Sequence, residues 1–241
     1  MCHGAACAYF PPIAASTPIK GAVMAHGYGD DAASRRVAVL PDIYGCNPFY
    51  RGFATYLAKM DMRTFLVDPF DGLGELPEIS REAAFERRHK LRDAEFIDNF
   101  LAFSNAENVN AVIGFCLGGF YVFELARRDF PGTLVGLYGF PQGMDNQDPL
   151  PAPFDYLPDI SKRHVMLMGG LDSSVGPENV ARLKTIAENN HAIDLTVFDE
   201  SGHGFLADLD GVDPAARTVA RQALGLCEAE LKPQESNYRR A

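Results

Sequence analysis

Tryptophan is absent from the 241 residues, and cysteine is scarce, with five thiols scattered along the chain: Cys2, Cys7, Cys46, Cys116 and Cys227. An odd and scattered set argues against a disulfide framework and for a reducing compartment. No apolar stretch approaches the roughly 20 residues that a membrane-spanning helix needs, and the N-terminus lacks the basic and apolar regions of a signal peptide. The sequence therefore predicts a cytoplasmic location.

Positive charge is also in deficit, since 22 Lys and Arg face 32 Asp and Glu, for a net charge of −10. This balance disfavours nucleic acids and acidic membrane surfaces as partners, and an anionic substrate would need a local basic patch. Cys2, His3 and Cys7 could begin a metal site, but no second group at ligand spacing completes it. We expect no metal, no cofactor, and a monomer or a homodimer.

Short apolar runs alternate with longer amphipathic stretches from one end to the other, which is typical of parallel strands joined by helices. The chain length fits one α/β domain over residues 1–241, with residues 1–20 and 232–241 peripheral and a mostly parallel central sheet between helices on both faces. The predicted strands are residues 21–25, 36–40, 63–67, 109–114, 133–137, 164–168 and 193–198. The predicted helices are residues 48–60, 80–103, 117–129, 177–190 and 213–231.

Two long loops, residues 68–79 and 141–160, are rich in proline, glycine and acid. Loops at the carboxyl ends of parallel strands border the ligand crevice of such a sheet. Both loops are therefore candidate pocket walls or lids, and the alternative is a plain surface connection.

A candidate nucleophile stands in the segment V-I-G-F-C-L-G-G-F-Y, where an apolar run meets a helix-forming sequence at Cys116. A strand that turns at once into a helix needs residues without a Cβ beside the turn, as in the G-x-S-x-G nucleophile elbow. At the start of a helix, the backbone N–H groups favour a thiolate. The alternative is a small buried thiol in a glycine-rich packing contact.

Two further residues follow Cys116 in an informative order. Asp172 comes after the apolar run at residues 164–168, and His203 lies between two glycines after the run at residues 193–198. Either residue alone is commonly a turn or cap residue. Nucleophile, acid and histidine is the chain order of α/β-hydrolases. The set predicts that Cys116 attacks, His203 transfers the proton and Asp172 fixes the histidine tautomer.

An acyl-transfer site also needs two N–H donors for the oxyanion. Leu117, which follows the nucleophile, supplies the first. The second is predicted in the loop after residues 36–40, at the amide of Ile43 or Tyr44, because an amphipathic helix follows that loop directly. The rival is the loop His26-Gly27-Tyr28-Gly29.

Taken together, the motifs resemble the dienelactone hydrolase family of α/β-hydrolases. They are P-D-I-Y-G at Pro41 to Gly45, D-P-F at Asp68 to Phe70, G-F-C-L-G-G at Gly114 to Gly119, L-Y-G at Leu137 to Gly139, G-G-L-D at Gly169 to Asp172, and G-H-G-F at Gly202 to Phe205.

The resemblance implies a three-layer α/β-hydrolase that cleaves a small ester or lactone through a cysteinyl thioester. It carries over Cys116, His203 and Asp172 as the triad, with backbone donors at Leu117 and Ile43. It also implies that Asp42 matches an acidic position, commonly glutamate, whose carboxylate lies near the resting thiol, although aspartate is one methylene shorter. We further expect substrate contacts from Tyr44, Tyr138 and Phe205.

Two departures concern the substrate. The best-known members bind a dienelactone carboxylate with an arginine four residues after the histidine, where this chain has Ala207, and they use a pocket tryptophan that this chain lacks. A compensating cation could come from Arg81, Arg87, Arg88 or Arg92, whose alternative role is a solvated helix face. Unless one of them reaches the cleft, we expect kcat/KM to be at least about tenfold higher for neutral esters or lactones than for dienelactone.

Two other functions fit parts of the pattern. Glutamine amidotransferases share the G-x-C-x-G elbow, but they carry a glutamate two residues after the histidine, where this chain has Phe205. A hydrolase-fold protein without turnover, acting as a binding or interaction module, is the second. Turnover of p-nitrophenyl acetate that iodoacetamide abolishes would distinguish an enzyme from such a module.

Overall fold

One eight-stranded sheet forms the centre of the computed structural model, which describes residues 6–232; Cys2 and His3 therefore lie outside the described residues. The strands are β1 (Thr17–Lys20), β2 (Met24–Tyr28), β3 (Arg35–Leu40), β4 (Met62–Asp68), β5 (Ala111–Phe115), β6 (Thr133–Leu137), β7 (His164–Gly169) and β8 (Ile193–Phe198). The helices are α1 (Pro48–Ala58), α2 (Arg81–His89), α3 (Asp93–Ala106), α4 (Leu117–Arg127), α5 (Pro177–Asn189) and α6 (Pro214–Leu231). Among these described helices, none is long and apolar enough to cross a membrane.

The strand order is β1-β2-β4-β3-β5-β6-β7-β8. β1 and β2 are antiparallel to their neighbours, and every pair from β4 to β8 is parallel. From β3 the chain continues to β4 on one side and later to β5 on the other. Such a reversal opens a crevice at the carboxyl ends of β3 and β5. The predicted α/β class with a mostly parallel sheet is confirmed.

Helices cover both faces of the sheet because side chains alternate along each buried strand. In β3, Val37 and Val39 pack in the same apolar cluster as α1 and α6, whereas Ala38 and Leu40 pack with α3, α4 and α5. The central strands of the parallel region therefore bury both of their faces, whereas the edge strand β8 is only partly buried. This arrangement confirms the predicted three layers.

The single helix predicted over residues 80–103 is wrong, because α2 ends at His89 and α3 begins at Asp93. Arg92 between them has an extended backbone with φ −105° and ψ 92°. The break turns Asp93 back toward Arg88, and the Asp93 Oδ2 to Arg88 Nη2 distance is 2.5 Å with both side chains buried. Pairing of a buried charge outweighs helix continuity here.

The strand predicted at residues 21–25 is shifted along the chain, since residues 21–23 form the bend between β1 and β2 and β2 begins at Met24. The sequence does not predict β1, because it is an edge strand of mostly exposed residues. A strand without a buried face need not alternate apolar and polar residues. Of the N-terminal segment that we predict to be peripheral, the described part, residues 6–20, packs against the fold. Phe10 is buried, with its ring 5.3 Å from Phe49 and 5.6 Å from Phe53.

We predict that Gly114→Ala destabilises the protein, because a Cβ at Gly114 would collide with the backbone carbonyl of Gly118 at the start of α4. Overpacking against backbone costs about 1–3 kcal/mol. The matched control is Gly225→Ala in α6, where a Cβ meets nothing within 4 Å and should stabilise by about 0.5–1 kcal/mol. Urea unfolding measures both variants, and equal stability of the two would contradict the prediction.

Candidate active site

Cys116 lies on a strained turn between β5 and α4, with φ 54° and ψ −105°. The turn is held from two sides, because the Cys116 N–H donates to the Leu137 carbonyl at 3.0 Å and the Gly118 N–H donates to the Pro41 carbonyl at 3.1 Å. A non-glycine residue in so sparsely populated a region costs about 1–3 kcal/mol. The strand, turn and helix predicted around Cys116 are therefore present, with the cysteine at the turn.

Asp172 and His203 meet although 31 residues separate them. The Asp172 Oδ2 to His203 Nδ1 distance is 2.7 Å, and Asp172 is fully buried. The second oxygen, Oδ1, accepts N–H groups of Ser174 at 2.9 Å and Val175 at 3.0 Å. With both oxygens engaged, the carboxylate is fixed in one orientation and can hold the imidazole in one tautomer.

The G-G-L-D motif allows this meeting by close packing. A Cβ at Gly169 would fall against the carbonyls of Ser201 and Gly202, and a Cβ at Gly170 would fall against that of Asp199. The loop that carries the histidine thus lies directly on the end of β7. The two glycines of the G-G-L-D motif are therefore needed for the close approach of the two backbone segments, rather than for a turn.

A cavity of about 540 Å³ opens at the carboxyl edge of the sheet, and both Cys116 and His203 line it. The ring of Phe140, another lining residue, lies 5.6 Å from the His203 ring. The loop of residues 68–79 contributes Ile79 to the wall. The described lining is completed by Ile43, Tyr44, Arg81, Phe85, Arg88, His89, Gln142, Met144, Asp145 and Ser174.

The loop after β3 reaches this cavity, as predicted for an oxyanion donor. The Tyr44 N–H donates to Asp42 Oδ1 at 2.8 Å, and the Gly45 N–H donates to the Asp42 carbonyl at 3.0 Å. Asp42 is fully buried and shapes this turn. Because the Tyr44 amide is engaged, Ile43 is the better of the two alternatives. In the rival loop, His26 lines a neighbouring cavity instead.

Two of the three residues that we expect to contact the substrate, Tyr138 and Phe205, do not belong to the described cavity lining. Tyr138 is fully buried with its ring 5.1 Å from the His203 ring, and the Phe205 ring lies 5.3 Å from Tyr138. Large aromatic rings gain more from this burial than from facing a cavity. They support the imidazole from behind, and Tyr44 alone of the three lines the cavity.

Of the four candidate cations, two reach the cavity. Arg88 is 1% exposed and lines it, and Arg81 lies at its exposed side. Arg87 instead lines the neighbouring cavity and donates to the Ile43 carbonyl at 3.2 Å. Arg92 is exposed and lines neither of these two cavities, and its Nε lies 2.7 Å from Glu95. The described cavity lining therefore contains two arginines, of which Arg88 is paired with Asp93, and one acid, Asp145.

The remaining described thiols differ from Cys116 in their surroundings. Burial raises the pKa of Cys7, Cys46 and Cys227, which disfavours their thiolate forms. All four cysteines within residues 6–232 are free. Over the same range, no group of three His, Cys, Asp or Glu side chains is placed to hold a metal ion.

The family model for the dienelactone hydrolase family matches residues 28–226. The chain belongs to the dienelactone hydrolase family. It is 48% identical over 225 residues to carboxymethylenebutenolidase 2 of Cupriavidus pinatubonensis, covering 93% of this chain and 96% of the relative. It is 29% identical over 190 residues to carboxymethylenebutenolidase of Rhodococcus opacus, covering 76% and 75% of the two chains. The resemblance seen in the motifs is thus confirmed, and the chain is a hydrolase of carboxylic ester bonds.

Solved structures agree on the fold. A crystal structure from Klebsiella pneumoniae, described as a candidate dienelactone hydrolase, superposes with a TM-score of 0.75 at 19% identity, covering 90% of this chain and 96% of the other. Thermogutta terrifontis esterase 2 superposes with a TM-score of 0.63 at 14% identity, covering 93% and 98%. At these identities the likeness supports the α/β-hydrolase fold alone.

We predict that iodoacetamide alkylates Cys116 before Cys46 and Cys227 in the native protein. Cys116 lines the cavity at a helix start, whereas the other two thiols have raised pKa values and few thiolates to react. Peptide mass spectrometry over a time course measures the order. Protein unfolded in guanidinium should label all cysteines alike, and first labelling of Cys46 or Cys227 in the native state would contradict the prediction.

Proposed function

We propose that this family member is a single-domain enzyme that cleaves a small lactone or ester through a thioester on Cys116. One observation carries the proposal: Cys116 and His203 line one cavity, and the fully buried Asp172 lies 2.7 Å from His203 Nδ1. The alternative, a binding module without turnover, has no comparable support. A protein that only binds a ligand does not need a histidine held by a buried carboxylate.

In the proposed reaction, His203 takes the thiol proton and the Cys116 sulfur attacks the carbonyl carbon. The N–H groups of Leu117 and Ile43 stabilise the oxyanion. Collapse breaks the ester C–O bond, His203 returns the proton to the leaving oxygen, and the acyl group stays on sulfur. Water, deprotonated by His203, then releases the acid and restores the thiol. Asp172 stabilises the imidazolium that forms twice in the cycle.

The substrate is proposed to be a small lactone that carries a carboxylate. The two curated relatives above are named carboxymethylenebutenolidases, and the cavity of about 540 Å³ suits a small ring. Arg88 and Arg81 line that cavity, so the condition under which we expected a preference for neutral esters is not met. The buried Arg88 takes the part of the cation that is missing at Ala207.

The proposal also covers the role of Asp42, the cellular location and the oligomeric state. Asp42 acts as an auxiliary acid near the thiol, supported by its burial in the turn beside Ile43. The enzyme works in the cytoplasm, because free cysteines and a reactive thiol require a reducing compartment. It is a monomer or a homodimer, which light scattering during gel filtration measures directly.

Cys116→Ala should reduce kcat for p-nitrophenyl acetate and for a lactone by about three orders of magnitude or more, because no other group forms the thioester. Cys46→Ala is the matched control, since Cys46 lines the neighbouring cavity. Steady-state kinetics and a thermal unfolding curve are needed for both. Activity that survives in Cys116→Ala would exclude the thioester, and a wild type that binds lactones without turnover would support the binding module.

Arg88→Met should lower kcat/KM for cis-dienelactone by at least about tenfold, because a buried substrate carboxylate loses its charge partner. For an uncharged lactone of similar size, kcat/KM should change by less than about threefold, which corresponds to about 0.7 kcal/mol, because that substrate has no charge to pair with Arg88. Arg92→Met removes an arginine outside the cavity and serves as the control. Equal losses on both lactones would contradict the carboxylate assignment.

A further inference from the structure

Behind the cavity wall, Arg88 belongs to a buried group with Asp93 and Tyr121. Asp93 Oδ2 accepts from Arg88 Nη2 at 2.5 Å, and Asp93 Oδ1 accepts from the Tyr121 hydroxyl at 2.5 Å. Arg88 and Tyr121 are each 1% exposed and Asp93 is fully buried. The three residues come from α2, α3 and α4, so the group joins three helices beside the cavity.

The group has more donors than acceptors. Each Asp93 oxygen has one donor, and the one hydroxyl proton of Tyr121 goes to Asp93. Arg88 retains its Nε and Nη1 without a hydrogen-bond partner among residues 6–232. Buried N–H groups of a charged side chain are costly to leave unpaired. The deficit calls for an acceptor from outside the group, and Arg88 is one of the residues that line the cavity.

A comparison within α4 shows that this is not an ordinary ion pair. Glu124 is fully buried too, but its partners Arg127 and Arg128 are 38% and 24% exposed, so their charges reach solvent. Arg88 does not reach solvent in this way and is surrounded by protein and cavity. A buried pair of this kind contributes little net stability compared with apolar residues. Such a pair is better suited to orienting the Arg88 side chain than to stabilising the fold. Tyr121, which donates to Asp93, is itself held by a ring packed 5.1 Å from Phe96.

We propose that Asp93 and Tyr121 are positioning residues that hold Arg88 for the carboxylate of the substrate and so determine specificity for anionic lactones. The inference rests on the proposed function. Tyr121 stands five residues after Cys116, on the helix that begins at the nucleophile. The distance between the carboxylate site and the attacking sulfur is thereby set by one rigid element. The break between α2 and α3 brings Asp93 into this group.

The test is Tyr121→Phe, which removes one hydrogen bond and keeps the ring. KM for cis-dienelactone should rise about three- to tenfold, less than the full worth of a hydrogen bond to a charged group because Tyr121 acts only through Asp93 and Arg88, with kcat within about twofold. KM for an uncharged lactone of similar size should stay constant. Tyr56→Phe is the matched control, because its hydroxyl lies 2.5 Å from Glu228 Oε1 and it does not line the cavity.

A double-mutant cycle separates positioning from structure. In an Arg88→Met background, Tyr121→Phe should leave KM for cis-dienelactone unchanged, because no guanidinium remains to orient. Asp93→Asn should show the same selectivity for the anionic lactone, and Tyr121→Phe decides the matter if Asp93→Asn does not fold. Equal losses on both lactones, or no change with cis-dienelactone, would overturn the positioning role while Arg88→Met still discriminates. An Arg88→Met enzyme that behaves as wild type would overturn the substrate assignment as well.

Discussion

The strained backbone of Cys116 is the constraint around which the other parts of the site are arranged. A φ of 54° at a non-glycine residue persists only when its surroundings hold it. The hydrogen bonds to Leu137 and Pro41 do so from β6 and from the loop after β3. A Cβ at Gly118 would collide with the Leu40 carbonyl, so the start of α4 lies directly on β3. The same contacts connect α4 to the loop of Ile43, which lines the same cavity as Cys116.

The charges of the molecule are arranged on two scales. The chain as a whole carries a net charge of −10, which disfavours the approach of anionic partners. Locally, however, Arg81 and Arg88 line the same cavity as Cys116. At distances beyond a Debye length of about 8 Å, exposed acids are screened, whereas a buried guanidinium is screened far less. Local burial, rather than net charge, decides what such a cavity attracts.

His203 is held by apolar and polar contacts together. Asp172 fixes one ring nitrogen, while the Tyr138 and Phe140 rings lie 5.1 Å and 5.6 Å from the imidazole. Packing restricts the ring plane, and the carboxylate restricts its rotation and tautomer. A histidine between two glycines needs both restraints, because its own backbone offers little. Tyr138, which we expected to contact the substrate, therefore packs against the imidazole from inside the core.

Local sequence patterns predict the strand, turn and helix at Cys116 and the chain order of Cys116, Asp172 and His203. Those features depend on local patterns, namely apolar runs, glycine spacing and chain order, which are visible along the chain. The edge strand Thr17–Lys20 left no such pattern, because it has no buried face to repeat every second residue.

Which arginine lines the cavity, and where the helix predicted over residues 80–103 is interrupted, depend on tertiary contacts. Arg87 and Arg88 are neighbours in sequence, yet one contacts the Ile43 loop and the other lines the cavity beside Asp93. Tyr138 and Phe205 likewise turn into the core behind His203. These outcomes depend on pairing and packing between residues far apart in the chain, and the energy of a buried charge or ring is set by neighbours that local sequence does not specify.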